Sequence, residues 1–138
     1  MFLLDTNVIS ELRRPQRADR NVLAWADKIP AASFFLSVIT ILEIELGTLQ
    51  VARKDVAQGT ILRSWIDEQI LPRFEGRILA VDTAVAQRCA RLHVPDPRAE
   101  RDALIAATAL VHGLTVVTRN VTDFEASGVA LFDPWARA

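Results

Sequence analysis

Five short apolar runs punctuate the chain: FLL at 2–4, FFLSV at 34–38, ILAV at 78–81, LTVVT at 114–118 and VALF at 129–132. None shows the strict apolar–polar alternation of a strand with one wet face. Continuous runs of this kind mark strands covered on both faces, the condition of a parallel sheet with helices above and below it. The intervening segments supply the helices. Val8 to Arg14, Val22 to Lys28, the stretch opened by Thr40-Ile41-Leu42-Glu43, Thr60 to Leu71, Asp82 to about His93, and Asp102 to His112 all read as helical. Pro15 is the expected stop of the first, Asp82 an N-cap and Gly113 a C-cap. QRADRN, VPDPRAE and RNVTDF read as polar loops, links or turns. The expected fold is α/β, with about five parallel strands and helices on both faces. The 138 residues suffice for one domain spanning 1–138 and fall short of two ordinary ones.

Composition removes several classes of function. The net charge is −1, so no global field draws the chain to nucleic acid, and any such binding needs a local basic patch. Cys89 is the only cysteine, so the sequence leads us to expect neither an internal disulfide nor a cysteine-based zinc site. In VAQRCARL it reads as a packing residue. His93 and His112 fall near expected helix C-termini, where an imidazolium suits the dipole. No basic region precedes the first apolar run, and nothing approaches the roughly 20 residues of a membrane span. The expected location is the cytoplasm, with no membrane partner.

The acids carry the chemistry. Asp5 ends the first strand, Glu43 follows the second, Asp102 opens an Ala-rich helix, and Asn120 and Asp123 follow the fourth strand. In a parallel sheet these positions share the carboxyl edge, where open α/β sheets place ligands. Two carboxylates about 4 Å apart repel by roughly 4 kcal/mol at an effective dielectric of 20. A hard divalent cation relieves that repulsion, with one or two acids binding directly and the rest through water. The spacing therefore points to a Mg²⁺ or Mn²⁺ centre suited to phosphodiester hydrolysis. Each acid also has a structural reading. Asp5 is a good helix cap, Thr40-x-x-Glu43 matches a capping box, Asp102 complements a helix dipole, and Asn120 and Asp123 suit a turn, with Asn120 in the left-handed region.

LLDTNVISEL at 3–12, Thr40-x-x-Glu43, RDALIAATAL at 101–110 and TRNVTDF at 118–124 together resemble the PIN-domain ribonucleases. The likeness is to the VapC toxins of bacterial toxin–antitoxin pairs, in their FitB-like branch, and it spans almost the whole chain. It implies a Mg²⁺- or Mn²⁺-dependent endoribonuclease that forms a homodimer and is neutralised by a small DNA-binding antitoxin. By position it assigns Asp5, Glu43 and Asp102 to the acidic triad and its metal, with Thr6 and Thr118 as supporting hydroxyls. The fourth polar place falls to Asp123 or Asn120, and Asp123 is favoured as an acid holding a metal-bound water. Arg14, Arg98, Arg101 and Arg119 are candidate RNA-binding residues around that centre.

Rival readings are weaker. A haloacid dehalogenase-type phosphatase needs a second Asp two residues after the first, and Asn7 stands there. A receiver domain lacks its acidic pair, and a dinucleotide-binding domain lacks G-x-G-x-x-G after the first strand. A housekeeping RNA-processing nuclease and a non-catalytic α/β interaction module, with every acid a cap, remain as alternatives.

Overall fold

The apolar runs build one sheet. In the computed structural model, which describes residues 1–136, the strands are β1 (Phe2–Leu4), β2 (Phe34–Ser37), β3 (Ile78–Leu79), β4 (Thr115–Val117) and β5 (Leu131–Phe132). All neighbouring pairs are parallel, in the order β3-β2-β1-β4-β5. β1 is central, with Leu3 opposite both Phe35 and Val116.

Alternation along β1 explains why the run has no polar position. Leu4 packs with Phe34, Leu36 and Val117 on one face. Leu3 packs with Ile105, Ala106, Ala109 and Val116 on the other. Both leucines are fully buried. The helices that cover these faces are α1 (Thr6–Leu12), α2 (Arg20–Lys28), α3 (Val38–Lys54), α4 (Val56–Trp65), α5 (Leu71–Arg73), α6 (Thr83–Leu92), α7 (Glu100–His112) and α8 (Val121–Phe124). No helix of the described residues is long and apolar enough to cross a membrane.

Several boundaries depart from the sequence reading: α1 covers Thr6–Leu12 where Val8 to Arg14 was expected, α7 opens at Glu100 ahead of Asp102, and three further departures have a local cause. The helix expected to open at Thr40 starts at Val38, directly off β2, because the Ser37 hydroxyl accepts from the Ile39 amide at 3.0 Å and caps it. The helix expected over Thr60 to Leu71 is α4, beginning at Val56 under an Asp55 cap, followed by a π-helical stretch at Ile66–Ile70. The turn expected at RNVTDF contains α8, and Asn120 sits at φ −98°, outside the left-handed region expected for it. Asp82 does cap α6, accepting from the Val85 amide, and Gly113 ends α7 at φ 67°.

α3 and α4 form a tight antiparallel pair. A Cβ on Gly59 would lie 2.5 Å from the Ala52 Cβ and 2.7 Å from its Cα, whereas one on Gly47 meets nothing within 4 Å. Gly59→Ala is therefore expected to lower stability by about 1–3 kcal/mol through overpacking. Gly47→Ala is expected to raise it by up to about 1 kcal/mol through helix propensity. Urea unfolding of both variants checks the pair; equal midpoints would contradict the close approach.

Candidate active site

Asp5 is fixed through four of its polar atoms. Its amide continues the sheet by donating to the Val117 carbonyl at 2.9 Å, and its own carbonyl accepts from the Val8 amide at 3.0 Å to start α1. Its Oδ1 accepts from the Thr6 amide at 2.8 Å. Its Oδ2 accepts from the Thr118 hydroxyl at 2.8 Å and from the Asn7 amide group at 3.4 Å. Thr118 is fully buried, and its oxygen also accepts from the Asn120 amide and the Asn7 side chain. The capping reading of Asp5 is thus right for one oxygen, while the other belongs to a network that spans β1 and β4.

Glu43 does not complete a capping box. Ser37 caps the helix, and Thr40 lies inside it, buried, with a hydroxyl that finds no partner. The Glu43 Oε1 instead accepts from the Thr6 hydroxyl at 2.6 Å, across from α3 to α1. This places Glu43 and Asp5 on either side of one residue, Thr6, whose amide serves the first acid and whose hydroxyl serves the second.

Asp102, in the first turn of α7, reaches the same cleft. Asp5, Thr6, Asn7, Ser10, Glu11, Glu43, Asp102 and Asn120 line it together. Burial pushes the Asp5 carboxyl above its ordinary range; the bonds from Thr118 and Thr6 oppose this, and the charges of Glu43 and Asp123 add to it. Burial raises Asp102 too, followed by the charges of Asp5, Asp123 and Glu43. Asp123 is exposed on α8, and its charge is felt by both acids. Asn120 lines the cleft itself.

The arginines divide. Arg101 is at the site, its Nη1 3.8 Å from the Glu43 Oε2. Arg98 spends its Nε on the Leu92 carbonyl at 3.0 Å. Arg119 stacks over Trp135 with its guanidinium carbon 5.3 Å from the ring. Arg14 is exposed next to a short 3₁₀ turn at Pro15–Arg17. Three cleft residues were not assigned to the site from the sequence, Asn7, Ser10 and Glu11; they stand at i, i+3 and i+4 on α1, the spacing of one helix face. Glu11 is partly committed, accepting from the Asp19 amide at 2.7 Å.

A cluster of acids lies at the carboxyl edge of a small parallel sheet, one of them buried at the end of the central strand, where open α/β folds place their ligands. The chain belongs to the PIN-domain family, whose pattern matches residues 2–126. It is 42% identical to Toxin FitB of Neisseria gonorrhoeae, covering 98% of this chain and 99% of that protein. It is 36% identical to a VapC ribonuclease of Sinorhizobium fredii over the full length of both. A solved structure of FitAB bound to a DNA fragment superposes with a TM-score of 0.89, at 39% identity, covering 100% of this chain and 98% of that one.

Crowded acids make a sharp stability prediction. A carboxyl raised in the folded state binds its proton more tightly there than in the unfolded chain. Stability is then greatest below the ordinary carboxylate value of 3.8 and is lost as pH rises through the raised value. No hydrogen bond is among the causes of the Asp102 shift, so Asp102→Asn removes the charge at little other cost. In EDTA the variant is expected to melt above the wild type at pH 7, with the gap closing as pH falls toward 3.8. Scanning calorimetry from pH 3 to 8 checks this; a gap of opposite sign at neutral pH would contradict the crowding.

Proposed function

We propose that this chain is a divalent-metal-dependent endoribonuclease and the toxin of a toxin–antitoxin pair, acting as a single domain in the cytoplasm. The observation that carries the reading is the convergence of Asp5, Glu43 and Asp102 on one cleft where, among the described residues, Arg101 is the only paired cation. Its support from relatives is the likeness to a named toxin and a named ribonuclease over nearly the whole chain.

The donor set fits Mg²⁺ or Mn²⁺: all hard oxygens, from several carboxylates, in a cleft open enough to admit hydrated ions and a phosphodiester. An ion held by Asp5, Glu43 and Asp102 would supply Lewis-acid polarisation of the phosphodiester and acidify water at the site. The chain's own residues prepare for this. Thr118 and the Thr6 amide hold the Asp5 carboxylate in one rotamer, and the Thr6 hydroxyl orients Glu43. Supporting bonds of this kind keep metal ligands at productive geometry. Asp102 supplies a carboxylate with no competing donor. Asp123 holds an outer water, and Asn120 and Arg101 receive the substrate phosphate. Arg14, Arg98 and Arg119 contribute a diffuse basic rim for RNA.

The partner is a small DNA-binding antitoxin, in keeping with the FitAB–DNA complex. An arginine from such a partner would pair bidentately with the cleft carboxylates and compete with the cation. Self-association is supported by Leu42, Leu49, Val56 and Ile61, large apolar side chains exposed on the α3–α4 pair.

Two experiments test this reading. Glu43→Gln and Asp5→Asn are each expected to cut cleavage of a mixed RNA on the order of 100-fold or more, as losses of a preorganised charge do, while Glu43→Gln leaves the melt nearly unchanged. Expression of the wild type alone should arrest a bacterial host, and co-expression with the product of the adjacent gene should relieve it. Cleavage without toxicity or a partner would favour an RNA-processing nuclease; intact cleavage by both variants would remove the site. The fourth position is separable. Asp123→Asn is expected to weaken apparent Mg²⁺ affinity about 10–100-fold, with the rate partly rescued by high Mg²⁺, whereas Asn120→Ala lowers the rate without rescue. The reverse pattern would exchange the two roles.

A further inference from the structure

A second cluster of potential ligands lies away from the acidic cleft, where α6 meets α7. Cys89 and His93 stand at i and i+4 at the end of α6, and Glu100 is the first residue of α7. The Cys89 Sγ is 3.7 Å from the His93 Nε2 and 4.0 Å from the Glu100 Oε1. The His93 Nε2 is 3.4 Å from the Glu100 Oε2. One ligand atom from each residue lies within 4.8 Å of the other two.

We propose that Cys89, His93 and Glu100 form a second metal site, selective for Zn²⁺ and similar thiophilic divalent ions over Mg²⁺. The separations are those of a preformed face. A tetrahedral ion with legs of about 2.3 Å to sulfur and about 2.0 Å to nitrogen and oxygen spans ligand edges of roughly 3.3–3.6 Å. The Cys89–His93 edge needs only a few tenths of an ångström of closure, whereas the two short Glu100 distances belong to different carboxylate oxygens, so the exposed Glu100 side chain turns to present one of them to both partners. The donor set excludes the ion proposed for the acidic cleft, because thiolate and imidazole favour Zn²⁺ and carboxylate-and-water sets favour Mg²⁺. Three protein ligands leave one position for water or an external group.

The surroundings favour a site that is rigid on one side and adaptable on the other. Cys89 is buried in a small cluster with Val85, Ala103 and Ala107, which holds its sulfur in place. Glu100 is exposed, with 71% of its side chain accessible, so its carboxylate is free to complete the coordination. Burial and the Glu100 charge keep the Cys89 thiol protonated without an ion; a bound cation reverses that preference. The Arg98 amide donates to the His93 Nδ1 at 3.0 Å, which leaves the proton of the neutral ring on Nε2. Metal binding through Nε2 moves that proton to Nδ1 and breaks the Arg98 contact, while the thiol proton goes to solvent. The net release is one proton. The ion then ties the end of α6 to the turn of α7 that carries Arg101 and Asp102.

Cobalt(II) tests the site, because a thiolate ligand gives it a charge-transfer absorption that carboxylates do not. Titration of the full-length protein is expected to develop this band to one equivalent, and Zn²⁺ to abolish it by displacement. Asp5→Asn is expected to keep the band, separating this site from the acidic cleft. Cys89→Ser is expected to lose it, and the exposed Glu100→Gln, which leaves the core untouched, to bind at least tenfold more weakly. In the wild type, Zn²⁺ is expected to speed hydrogen exchange at the Arg98 amide. No charge-transfer band at excess cobalt would overturn the site, as would a band that survives Cys89→Ser or an affinity unchanged by Glu100→Gln.

Discussion

The bond from the Thr118 hydroxyl to the Asp5 carboxylate ties the whole arrangement together. It joins residues 113 positions apart in sequence and exists only when β4 has paired with β1. β1 alone would end in an aspartate free to rotate. With β4 in register, Leu4 opposite Val117, the buried hydroxyl meets one carboxylate oxygen while the start of α1 takes the other. A carboxylate this buried is costly unless its lone pairs are occupied. The hydrogen bonds meet part of that cost and also fix the direction in which the remaining lone pairs face the cleft.

From that anchor the other acids follow through backbone connections. Thr6 is the next residue, and its hydroxyl reaches Glu43 on α3. α7 runs back across the sheet to feed β4, so its N-terminus, with Asp102, starts at the same edge. The convergence is thus a consequence of parallel topology, in which every strand delivers its following residues to one side. The fold tolerates the mutual repulsion because Asp102, Glu43 and Asp123 retain contact with solvent.

Parallel topology was legible because it leaves a mark in each strand. A strand buried on both faces lacks the regular apolar–polar alternation of a one-sided strand, and the runs at 2–4, 34–37 and 115–117 are such strands. That Asp5, Glu43 and Asp102 could share one edge followed from parallel strand direction; the strand order that brings them to one cleft came from the structure. What was not legible depended on contacts across the sequence. Thr40-x-x-Glu43 imitates a capping box, but Ser37, three residues earlier, ends β2 and takes the cap. Asn120 was read from turn propensity, yet its backbone is set by its amide bond to Thr118 and by α8. Arg98 flanks Asp102 in sequence, and the bond from its Nε to the Leu92 carbonyl was not readable there. Cys89 was read as packing alone; its proximity to Glu100 arises only when the proline-broken link folds α7 back against α6.

The central claim is that the acidic cleft is a metal centre organised around Asp5. Calorimetric titration of Mn²⁺ into the EDTA-stripped protein tests it most directly, performed at pH 5.5 and 7.5 in buffers of different ionisation enthalpy. The account predicts binding that Asp5→Ala abolishes, with more protons released at the lower pH because Asp5 and Asp102 hold theirs above the ordinary carboxylate range. Binding that is indifferent to Asp5 would contradict it.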